Sequence, residues 1–171
     1  DLMDAVMFMP HRVEYILAGY EEMGDCDIII NALGNIDLVA TGSRDDEMGF
    51  TVPAVADCIP KIMAGGFDGI FVNITNPCDV ITDLIQKLSG LPANRVIGTG
   101  TGLDTSRLVS AIAQQTGLDH NSFTAFMFGE HGNSQITPWS LVKFAGRPYE
   151  ELAKHDERFR FDRKELQERA I

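Results

Sequence analysis

The residues best suited to chemistry in this 171-residue sequence are His131, Asp104 and Arg107. His131 stands in Gly129-Glu130-His131-Gly132-Asn133-Ser134, a turn with a glycine on either side of the ring-bearing residue. Upstream, Leu103-Asp104-Thr105-Ser106-Arg107 sets a carboxylate and a guanidinium three positions apart, neighbours on one face if the segment is helical. An imidazole that exchanges protons near neutral pH, an acid to orient it and a guanidinium to grip an anion make a proton-transfer site for a small acid. Each residue also has a plainer reading. His131 could be a surface turn histidine, Asp104 a helix N-cap, and Arg107 one half of an intrahelical ion pair.

Positioning such groups needs a rigid frame, and the apolar runs supply one. Residues 27–33, 69–75 and 96–99 contain Ile28-Ile29-Ile30, Ile70-Phe71-Val72 and Val96-Ile97. Runs of this kind suit strands buried on both faces of a parallel sheet. Helical segments fall between them, over roughly 44–64 and 79–89, with Gly90 as a stop. Pro53 and Pro60 predict that the first of these helices is broken or kinked. The alternation predicts an α/β fold with an open parallel sheet. Each strand then runs into small or polar residues: Gly34-Asn35, Asn76-Pro77 and Gly100-Thr101-Gly102. The carboxyl edge of an open parallel sheet is where ligands bind. Beyond Asp104 a helical period through Leu108, Ile112 and Ala113 ends near Gly117. Residues 123–128 read as a strand, 136–144 as a second extended or mixed segment, 146–148 as a turn, and 163–171 as a helix. The change of pattern divides the chain near residues 100–102.

Composition narrows the function. A net charge of −11 argues against a nucleic-acid surface and against docking on anionic membrane. No run approaches the roughly 18 apolar residues of a membrane span, and the acids Asp1 and Asp4 do not fit a signal peptide. Residues 1–9 have a helical pattern, with Leu2, Met3, Val6 and Met7 forming an apolar face. Cys26, Cys58 and Cys78 show no metal-ligand spacing and read as buried free thiols in a reducing, cytoplasmic setting. No metal site is expected. A glycine-rich Gly-x-Gly-x-x-Gly turn ahead of a strand is absent; Gly98-x-Gly100-x-Gly102 has a different spacing and follows the third run.

The sequence resembles the L-2-hydroxy acid dehydrogenase family, which includes lactate and malate dehydrogenases, and within it the L-2-hydroxyisocaproate dehydrogenase group. The resemblance rests on Leu33-Gly34-Asn35-Ile36, on Thr75-Asn76-Pro77-Cys78-Asp79-Val80-Ile81-Thr82, and on Arg95-Val96-Ile97-Gly98-Thr99-Gly100-Thr101. It rests equally on Leu103-Asp104-Thr105-Ser106-Arg107 and on Gly129-Glu130-His131-Gly132-Asn133-Ser134-Gln135. It implies a partial doubly wound, Rossmann-like sheet over 1–101, the second half of a dinucleotide-binding domain. The first part of an α+β catalytic domain would follow over 102–171. It further implies an internal piece of the protein, NAD as cofactor, a small 2-oxo or 2-hydroxy acid as substrate, and a homo-oligomer, dimer or tetramer.

The resemblance also implies roles. His131 would donate and accept the proton, Asp104 would hold its ring, and Arg107 would bind the substrate carboxylate. Arg44, in a mobile loop reaching back to Asn35, would polarise the carbonyl. Asn76 would face the nicotinamide ribose and the substrate, and Gly34 and Asn35 would let backbone approach the cofactor. For Asn76 a plainer reading is a cap on the helix that follows, and for Arg44 a solvated charge. Malate dehydrogenases carry an extra arginine in that loop; here residues 36–41 have none and include Asp37, which favours a substrate with an apolar side chain. Two rivals remain: a catalytically inactive module of the same fold that binds a ligand or forms oligomers, and a nicotinamide-using glycosidase, which would need metal ligands.

Overall fold

The isoleucine-rich runs form a three-stranded parallel sheet in the computed structural model, which describes residues 11–35, 37–38, 44–132 and 134–171. Strands β1 (Ile28–Asn31), β2 (Ile70–Asn73) and β3 (Val96–Gly98) lie side by side in that order, with Ile29 opposite Phe71 and Val72 opposite Ile97. Helix α1 (Arg44–Ala64) joins the first two strands and α2 (Cys78–Ser89) the next two. Parallel crossovers are right-handed, so successive neighbouring strands put both helices on one face. That face carries the core: Val55, Ile59 and Ile62 of α1 and Ile81 and Ile85 of α2 close over Phe71 and Val96. Full burial of a side chain such as Phe71 or Ile85 stabilises by about 1.5–3 kcal/mol.

The same handedness corrects the expectation of strands covered on both faces. Ile28, Ile30 and Ile97 are 57 %, 62 % and 46 % exposed, because no helix among the described residues crosses that side. The expected break in α1 is also absent. The helix runs through Pro53 and Pro60, both on its exposed side. The carbonyls they leave unpaired, those of Gly49 and Ala56, belong to exposed residues and can bond water instead. Helix α2 ends as its sequence predicts, with Gly90 at φ 66°.

After β3 the chain enters α3 (Gly102–Thr116), which packs against α5 (Arg163–Ala170). Strands β4 (Phe123–Thr124), β5 (Lys143–Phe144) and β6 (Arg147–Pro148) form a small antiparallel sheet, followed by the single turn α4 (Tyr149–Leu152). The extended segment expected over 123–128 is mostly irregular, and Phe128 returns to pair with Ile136 alone. The turn expected at 146–148 sits one residue earlier. Ala145 and Gly146 have φ of 46° and 81°, and Arg147 is already in the strand. Two positive-φ residues are what a tight hairpin of this twist requires. A second core gathers Leu108 and Ile112 of α3, Leu166 of α5 and the rings of Phe123, Phe144 and Phe159. Asp162 caps α5 by accepting from the amides of Lys164 and Glu165.

Of the three thiols expected to be buried, Cys58 and Cys78 are, and Cys26 is exposed because it sits in the turn leading into β1. No described helix is long and apolar enough to cross a membrane. The helix expected over 1–9 lies outside the described residues.

Candidate active site

Helix α3 starts at Gly102 with Thr101 at the cap, so Asp104 falls in its first turn, three residues past the cap position. Its side chain is fully buried and turned away from the helix amides toward His131, whose Nδ1–H donates to Asp104 Oδ2 at 2.7 Å. A carboxylate only accepts, so this bond assigns the ring proton to Nδ1 and leaves Nε2 for another molecule. The imidazole is 15 % exposed, enough for a small solute to reach it. Arg107 lies one turn along α3, with Nη1 3.5 Å from Asp104 Oδ1 and also donating to the Ile171 carbonyl at 3.2 Å. Its side chain is 46 % exposed, and its Nε and Nη2 have no partner among the described residues. The ion-pair reading of Arg107 is therefore correct and leaves half of the fork open to an anion. A buried acid needs compensating partners; here an imidazole, a guanidinium and the positive end of α3 supply them.

The turn that carries His131 is fixed at several points. Thr101 Oγ1 donates to the Met127 carbonyl at 2.7 Å, and the Met127 amide donates to Thr105 Oγ1 at 2.9 Å. The two threonines, one helical turn apart, dock this segment onto the first turn of α3 beside Asp104. Gly129 then reverses the chain at φ 105°, a conformation open to glycine and costly for other residues. Finally the His131 amide donates to Asp79 Oδ2 of α2 at 3.1 Å. Asp79, Thr101 and Thr105 are contributors that residue-type reasoning passed over. An acid in a helix's first turn reads as a dipole partner, and threonines at helical spacing read as ordinary surface.

At the carboxyl edge of the parallel sheet a buried amide network sets the loops. Asn31 Nδ2 donates to Asn73 Oδ1 at 2.7 Å, joining the last residues of β1 and β2. Asn73 Nδ2 reaches the Cys78 carbonyl at 3.0 Å and Thr82 Oγ1 at 3.1 Å, and its Oδ1 accepts from the Thr75 amide at 3.2 Å. Thr75 Oγ1 donates to the Leu33 carbonyl at 2.7 Å. The loops after β1 and β2 are thereby held together around an open cleft of about 390 Å³, lined by Ala32, Gly34, Asn35, Glu47, Ile74, Thr75 and Asn76.

Gly34, Asn35 and Asn76 therefore come together. Asn76 is not the cap of α2; Pro77 holds that position and no side chain caps the helix. Asn35 Oδ1 accepts from the Asp37 amide at 3.1 Å, so its Nδ2 side is what it can offer to a ligand. A Cβ on Gly34 would come 3.2 Å from Glu47 Oε1, so a side chain there would crowd the cleft. A cleft lined by Ala32 and Ile74, with the amides of Asn35 and Asn76 and the acid Glu47 beside them, could take one end of a dinucleotide, the nicotinamide and its ribose. Arg44 begins α1, but its side chain lies outside the described residues, as do residues 36 and 39–43 of the loop read as mobile. No cluster of metal-ligating side chains occurs among the described residues.

The acid-oriented imidazole is thus tied through Asp79 to the carboxyl edge of the parallel sheet, the edge where open α/β folds bind ligands. Residues 1–98 match the family model described as lactate/malate dehydrogenase, NAD binding domain, and residues 101–169 match that for the lactate/malate dehydrogenase alpha/beta C-terminal domain. The chain belongs to the lactate/malate dehydrogenase family, and the cofactor of its matched domain is NAD. It is 39 % identical over 161 residues to the L-lactate dehydrogenase of Fusobacterium nucleatum, covering 94 % of this chain and 50 % of that protein. To L-lactate dehydrogenase 1 of Bifidobacterium longum it is 42 % identical over 160 residues, covering 93 % and 50 %. The ligand-bound crystal structure of the minor L-lactate dehydrogenase from Enterococcus mundtii superposes with a TM-score of 0.85 at 34 % identity, over 99 % of this chain and 53 % of that one. The chain thus spans about half the length of the relatives it matches.

Proposed function

We propose that this chain is the central part of an NAD-dependent L-2-hydroxy acid dehydrogenase whose substrate has an apolar side chain, as in the L-2-hydroxyisocaproate dehydrogenase group. The observation that carries the proposal is the 2.7 Å bond from His131 Nδ1 to the buried Asp104, with Arg107 3.5 Å from the same acid. Residues 1–101 are the second half of the dinucleotide-binding domain and 102–171 the start of the catalytic domain. NAD supplies the hydride exchange at the substrate carbon. The chain's own residues do the rest. His131 Nε2 gives a proton to the carbonyl oxygen in reduction and takes the hydroxyl proton in oxidation. Asp104 keeps the proton on Nδ1 and balances the imidazolium. Arg107 grips the substrate carboxylate through the free side of its fork, and Arg44 polarises the carbonyl from the start of α1. Asn76, Gly34 and Asn35 hold the nicotinamide ribose.

Asp37, in the segment between β1 and α1, is exposed, and residues 36–41 contain no arginine that could pair with a second substrate carboxylate. A homo-oligomer in a reducing, cytoplasmic compartment completes the reading; the free thiols are consistent with it. An inactive module would have no use for an imidazole aligned on a buried acid.

The test uses the whole protein that carries this sequence. Reduction of 2-oxoisocaproate should outpace that of oxaloacetate, and faster turnover of oxaloacetate would refute the assigned side chain. His131→Ala should cut kcat by about 10²–10⁴-fold while NADH binding, followed by its fluorescence, stays put. Loss of NADH binding instead would show that His131 has a different role.

A further inference from the structure

We infer that Asp79 is a positioning residue for the proton-transfer histidine, acting from the cofactor-binding half of the molecule on the backbone of His131. The inference rests on the dehydrogenase reading above and extends it. Its basis is the hydrogen bond from the His131 amide to Asp79 Oδ2, 3.1 Å long and closed across 52 positions of sequence.

Asp79 is an exposed acid, yet its backbone is not a loose one. It follows Cys78, whose carbonyl accepts from Asn73 Nδ2 at 3.0 Å and whose Sγ accepts from the Gly100 amide at 3.3 Å. It precedes Thr82, whose Oγ1 accepts from the same Asn73 amide at 3.1 Å and donates to the Cys78 carbonyl at 2.7 Å. Helix α2 packs so tightly on β3 here that a Cβ on Gly98 would come 2.5 Å from Thr82 Oγ1. The first turn of α2 is therefore locked to the carboxyl edge of the sheet, and Asp79 projects from it.

The turn it meets is the softer partner. Gly129, with φ 105°, and Gly132 flank His131 and offer the backbone wide freedom. The Asp104 bond fixes the ring but not the peptide that bears it. With Asp79 on the peptide and Asp104 on the ring, His131 is held by two acids, one from each side of residues 100–102. Asn76 lines the cofactor-side cleft three residues before Asp79. One short, rigid segment thus sets both the cleft wall and the place of the imidazole, so Nε2 keeps a constant distance from a nicotinamide held in the cleft. Displacing a reacting group by about 1 Å can cost on the order of 10²-fold in rate.

The experiment compares wild type, Asp79→Ala, Asp79→Asn and the control Asp83→Ala, all in the whole protein. Asp83 lies on the same helix and, among the described residues, pairs with Lys87 at the surface. Asp79→Ala should lower kcat for 2-oxo acid reduction by about 10- to 100-fold, with KM and NADH affinity changed by no more than about two-fold. Asp79→Asn keeps an oxygen that can accept the same amide proton and should restore most of the rate. Asp83→Ala should match wild type. The inference is overturned if Asp79→Ala retains wild-type kcat, or if Asp79→Asn is as slow as Asp79→Ala. A wild-type protein that reduces no 2-oxo acid would instead refute the dehydrogenase reading. Positioning is then decided by amide hydrogen exchange at His131, which Asp79→Ala must accelerate and Asp83→Ala must not.

Discussion

One imidazole nitrogen decides what the site can do. Asp104 engages Nδ1, so in the proposed reaction Nε2 is the nitrogen that exchanges a proton with the substrate. Replacing the acid by its amide tests this directly, because Asp104→Asn can donate as well as accept and can hold the ring in the wrong tautomer. Turnover in the whole protein should fall by on the order of 10²–10⁴-fold, with NADH affinity intact; stopped-flow oxidation of NADH reads it. A residual rate near wild type would mean that the acid only packs against the ring. The Asp104–His131 pairing was legible from residue types and from the family resemblance of the two motifs. Asp79 and the two docking threonines were not. Their roles arise from backbone groups they meet 52 and 22–26 positions away, and side-chain identity carries no record of which amide or carbonyl lies opposite.

At the scale of elements, the amide pair between β1 and β2 does what apolar residues at those positions could not. Asn31 and Asn73 end their strands inside the protein, where an unpaired amide would be costly. Their hydrogen bonds turn two strand ends, two loops and the first turn of α2 into one rigid piece. Asn73→Ala removes the hub and takes away the acceptor that Asn31 Nδ2 and the Thr75 amide share. The expected loss is about 2–4 kcal/mol of stability, read from urea unfolding, with weaker NADH binding in the whole protein because the cleft loops part. The strands themselves were legible from their isoleucine runs. The continuity of α1 was not, since whether a proline breaks a helix depends on whether its carbonyl partner faces water.

At the scale of the whole molecule, the described residues form two cores, one under the parallel sheet and one between α3, α5 and the small antiparallel sheet. Cys58 reports on the first. Burial pushes its thiol up from the ordinary range, with the charge of Asp57 adding to the shift. A raised folded-state value means that the neutral thiol contributes stability below the ordinary thiol pKa and loses that contribution as pH rises through the folded one. Thermal midpoints of wild type should therefore fall more steeply above the ordinary thiol range than those of Cys58→Ala. Parallel slopes would place the alkaline sensitivity elsewhere.

Order along the chain determined the sheet's direction, the family and the histidine proposed to handle the proton, because periodicity and short motifs are local properties that survive without coordinates. Only the tertiary structure decided which face of the sheet is covered, which asparagines are buried partners, and which acid holds the His131 peptide. Those outcomes depend on crossover handedness and on contacts between segments far apart in sequence. Such contacts form only when packing brings specific backbone groups within hydrogen-bond reach.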